Sequence, residues 1–366
     1  MLLSVVAASA VGLANLRDCV SRHFKIGSCA QVQFLRSNID DGQYAATLKA
    51  NYSLVEPEND LKPPAIWKGI GQYDFTNPDF LLGAPGEKGW AARNGLAVRG
   101  HVLVYARDDG YTIPGWLIQM EKQITPDQAK QILHDYIFAV AGRYKGKIAM
   151  WDVVNEAIDE HPNDRPLGLR DSFWFRKLGP DFLVLAFQYA HEADPKAELY
   201  YNEFGVESGG EKTKHLLELV HYIRDHGGPI TGVGLQYHSG LWEHIVPGDG
   251  HFQLLDQLKQ DSFAFMITEP DIGISVQPLP RDNPDFGCIP ATPDLLDKQA
   301  SLYGDIFKLA TSYPNCHGIQ MWGFTDKHSW ISMYSRGQGA ALPFDDHYQP
   351  KPALGAIEQV LKDSHR

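Results

Sequence analysis

The chain reads as an α/β protein, a single-domain (β/α)8 TIM barrel, on three observations. Eight short apolar, β-branched stretches recur along its 366 residues, helical stretches lie between them, and most of the eight end in polar side chains. An open doubly wound sheet has the same alternation, but it wants a glycine-rich phosphate turn after its first strand. No such turn follows residues 24–30.

In order, the strands are expected at FKIGSCA (24–30), YSLVEPEN (52–59), LAVRGHVLVY (96–105) and IAMWDVVNE (148–156). AELYYNE (197–203), ITGVGLQYH (230–238), FAFMITEPDI (263–272) and CHGIQMWGF (316–324) complete the set. A strand covered by helices is apolar at nearly every position, and IAMWDVV (148–154) is broken only by Asp152. Thr125 and Pro126 supply an N-cap and an N1 proline for a helix over 127–144. Gly227 and Gly228 stop another over 212–228, and a third spans 295–313. The Pro- and Asp-rich stretch 275–293 follows the seventh strand and is expected to border a cleft. No linker or repeat divides the chain, so residues 16–366 are expected to form one catalytic barrel behind an N-terminal segment, 1–15. That segment is apolar but far short of the ~20 residues of a membrane span, and it lacks the positive flank of a complete signal peptide.

Composition narrows the partners. With 43% hydrophobic and 21% charged residues, a large core is available. A net charge of −12 excludes a nucleic-acid backbone as the natural partner, and no stretch is built to cross a membrane. The 8 Trp and 16 Tyr offer flat faces on which sugars stack, besides their use in the core. Cys19, Cys29, Cys288 and Cys316 show no metal spacing and allow up to two disulfides. No cofactor is implied.

Barrel active sites sit at the C-terminal strand ends, so those ends can be read together. They bring Glu58, Asn59 and Lys62 after strand two, His101 and Tyr105 on strand three, and Asn155 and Glu156 on strand four. Strand five adds Asn202 and Glu203, strand six Gln236 and His238, strand seven Glu269 and Asp271, and strand eight Trp322, with Trp330 beyond. A carboxylate costs several kcal/mol to bury without compensation, so Glu156 and Glu269, each closing an apolar strand, call for a reason. Glycoside hydrolysis supplies one: a carboxylic acid protonates the leaving oxygen while a carboxylate attacks or activates water. Asn155 is placed to meet a sugar hydroxyl, and His238 with Asp271 to form a relay that supports the charge of Glu269.

The motifs carry a resemblance. PENDLK (57–62), RGHVLVY (99–105), WDVVNEAI (151–158), GLQYH (234–238), ITEPDI (267–272) and WGFTDKHSW (322–330) resemble, in order, the signature segments of family 10 glycoside hydrolases, the endo-β-1,4-xylanase family. The resemblance runs from about Leu16 to near the C-terminus. It implies a retaining xylanase with Glu156 as acid/base and Glu269 as nucleophile. It also implies sugar contacts from Glu58, Asn59, Lys62, His101, Gln236, Trp322 and Trp330, with His238 beside the nucleophile. A polysaccharide or oligosaccharide substrate, a monomer and secretion are the matching expectations. Departures fall at Tyr105 and Ala106, where the family has Trp-His, at Phe204 and Gly205, where it has Tyr-Asn, and at Pro270 in place of Leu. These are expected to open space and to remove a donor beside the cleavage point. A different or decorated glycan, a plant glycoside, or a carbohydrate-binding protein without turnover are the competing readings.

Overall fold

A computed structural model describes residues 14–21, 23–161, 164–274, 291–331 and 339–364. The start of the N-terminal segment, most of the Pro- and Asp-rich stretch after strand seven, and Cys288 lie outside the described residues. Eight parallel strands close into a barrel: β1 (Lys25–Ala30), β2 (Leu54–Pro57), β3 (Ala97–Tyr105), β4 (Met150–Asn155), β5 (Glu198–Glu203), β6 (Gly232–Leu235), β7 (Ala264–Ile267) and β8 (Cys316–Met321). Each pairs with its neighbours in sequence, and β1 pairs with both β2 and β8 to complete the circle. Every expected strand falls on one of these eight.

The helices pack outside, and their punctuation is as expected. Thr125 and Gln128 form a reciprocal capping box at the start of the helix Pro126–Ala141, with Pro126 in its first turn. The helix Glu211–Asp225 ends just before Gly227, whose φ of 84° suits the left-handed turn that stops it. The helix Pro293–Thr311 lies against Pro352–Ser364. Among the described cysteines, Cys19 and Cys29 are free thiols.

The lumen is filled in layers. Leu54, Met150, Tyr200 and Met266 plug it toward the N-terminal strand ends. Above them Arg99, fully buried, lays its guanidinium 5.0 Å from the Tyr200 ring centre and pairs with Asp152 and, at 3.2 Å, with Glu56. Burial pushes Asp152 up, but Arg99 and His101 outweigh it and hold the carboxyl below its usual range. Burial and the charge of Asp152 drive Glu56 well above that range despite Arg99. Arg99 and His101 thus favour the ionised form of Asp152 over that of Glu56. Asp152 in turn accepts from or is paired to His101 Nδ1 at 3.0 Å, which carries the fixed lumen up to the mouth of the barrel. Bulges between His101 and Val104 and between Asp152 and Val154 sit at that mouth, where an extra residue re-aims the following side chains.

Candidate active site

The strand β4 ends by turning sharply. Glu156 has φ 54°, a left-handed conformation that costs a non-glycine residue about 1–3 kcal/mol. Three contacts hold it there. The Glu156 N–H donates to the Asn202 carbonyl at 3.0 Å, the Ala157 N–H to Tyr201 Oη at 3.1 Å, and the Ile158 N–H to Glu203 Oε2 at 3.1 Å. The turn sends the Glu156 carboxylate into the barrel mouth, 6% exposed. Its Oε1 accepts from Tyr105 Oη at 2.6 Å, Gln236 Nε2 at 3.2 Å and Asn155 Nδ2 at 3.3 Å. Its Oε2 accepts from Arg107 Nη1 at 3.0 Å. Burial pushes this carboxyl up, but the bonds from Tyr105 and Gln236 and the charge of Arg107 outweigh it and leave it below the usual range.

Glu269 stands just past β7, also nearly buried. Asn202 Nδ2 donates to its Oε1 at 2.7 Å, and His238 Nε2 lies 3.0 Å from its Oε2. Thr268 Oγ1 donates to Asn202 Oδ1 at 2.7 Å, which fixes which end of the amide faces the glutamate. Beyond the barrel, His238–Gly240 and Asp271–Gly273 form a short parallel pair that sets Asp271 opposite His238. Asp271 Oδ2 is 2.9 Å from His238 Nδ1 and accepts from Trp330 Nε1 at 2.8 Å. Burial pulls the imidazole down, but Asp271 and Glu269 outweigh it and raise it well above its ordinary value. Both carboxylates thus favour the protonated form of His238, which stands between them.

Both glutamates face one cavity of about 600 Å³. Glu58, Asn59, Lys62, His101 and Tyr105 line one part of it, and Gln236, His238, Trp322 and Trp330 another. Lys62 Nζ donates to Asn59 Oδ1 at 2.9 Å and lies 5.3 Å from the Trp322 ring centre, so the polar floor is already ordered. Asn155, expected to meet a sugar hydroxyl, is held by its neighbours. It is fully buried, its Oδ1 accepts from Asn202 Nδ2 at 2.9 Å and Gln236 Nε2 at 3.2 Å, and its Nδ2 serves Glu156. It braces the carboxylates from behind. Asn202 and Asp271 are buried supports, as expected.

The sequence reading passed over Gln31, Arg107, Asp109, Tyr111 and Thr112, which also line the cavity. Four of these belong to the loop after β3, and Arg107, two residues past a strand end, carried the signal of a charged group at the catalytic face. Phe204 lines the cavity with Lys212 Nζ 3.6 Å from its ring centre. Ala106, Arg107 and Asp109 border a second cavity of about 360 Å³. Among the described residues, Glu56, His101 and Asp152 form a grouping with metal-donor spacing. The guanidinium of Arg99 sits among those carboxylates and matches their charge, which leaves a cation little reason to bind. No described helix is long and apolar enough to cross a membrane.

The chain matches the family model described as glycosyl hydrolase family 10 over residues 15–360. It is 31% identical over 326 residues to endo-1,4-beta-xylanase B of Thermotoga neapolitana, covering 88% of this chain and 85% of that protein. It is likewise 31% identical to the beta-1,4-xylanase of Dictyoglomus thermophilum, covering 96% and 92%. Its fold superposes on xylanase 10B from Thermotoga petrophila RKU-1 in complex with xylobiose with a TM-score of 0.83 at 29% identity, covering 97% and 99%. Native xylanase 10B from Thermotoga maritima gives the same score and identity over 96% and 98%.

Proposed function

Because the chain belongs to glycosyl hydrolase family 10, we propose that it is a retaining endo-β-1,4-xylanase in which Glu269 is the nucleophile and Glu156 the acid/base. The observation that carries this is the convergence of both glutamates on one sugar-sized cavity with an aromatic floor. In the first step Glu269 attacks the anomeric carbon while Glu156 gives a proton to the departing glycosidic oxygen. In the second, Glu156 takes a proton from water, which releases the sugar from Glu269. The imidazolium of His238 and the amide of Asn202 steady the Glu269 carboxylate until it attacks. Tyr105, whose hydroxyl burial and the nearby Glu156 keep protonated, stays a donor to the acid/base throughout.

A polymer substrate found outside cells makes secretion the matching location. One feature favours a second reading within the same chemistry: the cavity beside Ala106 gives room for a bulkier or decorated glycan on that side. Reducing-sugar release from linear xylan, substituted xylan, mixed-linkage glucan and aryl glycosides tests both. Release from xylan is the expected result. Release from mixed-linkage glucan alone would reject the substrate, and none from any of the four would reject turnover.

A further inference from the structure

Arg107 is the residue of the mouth that the two-carboxylate scheme leaves without a task. It sits on the loop after β3, its Nη1 3.0 Å from Glu156 Oε2, with its side chain 37% exposed. Glu156 Oε1 already has three donors, so Oε2 is the oxygen left to serve a leaving group, and Arg107 is what occupies it. Two other carboxylates stand close to the same guanidinium: Asp109 Oδ2 is 3.5 Å from Nε, and Glu160 Oε1 is 3.7 Å from Nη1. Both are solvent-exposed, and Arg107 borders both the main cavity and the second one. If its contact with Glu156 is given up, these two carboxylates leave it paired.

Resting on the reading of Glu156 as the acid/base, we infer that Arg107 is a positioning residue that docks on Glu156 Oε2 in the free enzyme and retreats toward Asp109 and Glu160 when the leaving-group sugar arrives. The charged and titratable groups around Glu156 make the direction of the effect plain. Tyr105 faces it from the end of β3, Arg107 from the loop that follows, Glu203 from β5, and Glu269 with His238 from across the cavity. Arg170 donates from its Nε to the Glu156 carbonyl at 2.9 Å, and Glu160 lies beyond. Arg107 is the cation among them that touches the carboxylate itself. While it is docked, the carboxylate is favoured over the acid. Once it is displaced, protonation of Glu156 becomes more favourable, and the first step consumes that proton.

The test follows the Glu156 carboxyl directly, by NMR of protein labelled with 13C at glutamate Cδ, with Glu156→Gln to assign the resonance. In Arg107→Gln the midpoint pH should rise, the proton concentration at half-titration falling by roughly two- to fivefold, the size expected for a part-exposed ion pair. Arg107→Lys should stay near the parent. A second arm uses the Glu269→Ala background, which is expected not to turn over, with xylohexaose as ligand. There the ligand should raise the Glu156 midpoint when Arg107 is present, and less when it is Gln. An unmoved midpoint in Arg107→Gln overturns the docking, and no ligand-induced rise in a demonstrably bound sample overturns the displacement. If xylohexaose does not bind at all and xylan is not cut, the xylanase reading fails, while the first arm still decides what Arg107 does to Glu156.

Discussion

Glu156 and Glu269 are both nearly buried, yet they are held by different partners, and that difference assigns different behaviour to each. Glu156 takes phenol, amide and guanidinium donors, and Glu269 an amide and an imidazolium. Glu156→Ala should lose most activity on substrates with poor leaving groups, which need protonation, and keep more on activated aryl glycosides. Added azide should restore part of it and yield a β-glycosyl azide. Glu269→Ala should be nearly inactive on every substrate, since no covalent intermediate forms. Equal losses on both substrate classes for Glu156→Ala would remove it as the acid. His238 makes a separate prediction about stability. Its folded pKa is raised above the unfolded value of about 6.5, so its stabilising contribution is complete below that pH and is lost as pH rises through the folded value. The urea midpoint of the parent should therefore exceed that of His238→Asn by more at pH 6 than at pH 10, and a gap that widens with pH would contradict the imidazolium. The glutamates were legible in sequence because each is a charge at the end of an apolar strand. The work of Asn155 was not, because whether an amide points at substrate or at its neighbours depends on Gln236 and Asn202, which arrive from two other strands.

At the scale of elements, the eight strands and the capped helices were readable because their signals are local: apolar runs, a capping box, a terminal glycine. Thr125→Ala should cost about 0.5–2 kcal/mol by unmaking the reciprocal cap of the helix Pro126–Ala141, read as a lower unfolding midpoint with unchanged activity. The loop after β3 was harder. Its residues form a knot of their own, with Thr112 Oγ1 donating to the Arg107 carbonyl at 2.9 Å and the Tyr111 N–H to Asp109 Oδ1 at 2.9 Å. No periodicity announces such a knot, so the reach of Arg107 onto Glu156 became visible only in three dimensions. The same loop carries the Tyr105 and Ala106 departures. Tyr105 supplies the shortest bond to Glu156, 2.6 Å, and Ala106 borders the second cavity, so the pair both hold the acid and leave a gap. Ala106→His, which keeps the Tyr105 bond to Glu156, should fill the gap and add a donor there. A hydrogen bond gained at the site is worth about 0.5–1.5 kcal/mol, or roughly two- to tenfold, so kcat/KM on linear xylan should rise within that range. No rise, or a parent already as fast on linear as on substituted chains, would show that the two small residues compensate one another.

Across the whole molecule, the closed barrel turns separate strand ends into one rigid frame, and the frame predicts the stereochemistry. The lumen below the site, Arg99 with Asp152 and Glu56, was seen in sequence only as the interruption at Asp152, because its meaning lies in strands brought together by closure. Above it, a chain of amides spans the mouth from one glutamate to the other. Gln236 Nε2 donates to Glu156 and to Asn155, both at 3.2 Å, while Asn202 Nδ2 donates to Asn155 at 2.9 Å and to Glu269 at 2.7 Å. These side chains come from β4, β5 and the ends of β6 and β7, whose registers the barrel fixes, so the span has no slack to widen. An inverting enzyme needs its carboxyl groups about 6.5–9.5 Å apart to seat a water between acid and base, whereas direct attack needs about 5–5.5 Å. The family 10 match, with Glu269 held directly by Asn202 and His238, argues for direct attack and so for the closer arrangement. The first product released from a β-linked xylo-oligosaccharide should therefore carry the β configuration and only later equilibrate to the α form. Proton NMR of the anomeric region, followed from the first minutes of reaction, reads this directly, and an α product at the earliest times would rule out Glu269 as a nucleophile.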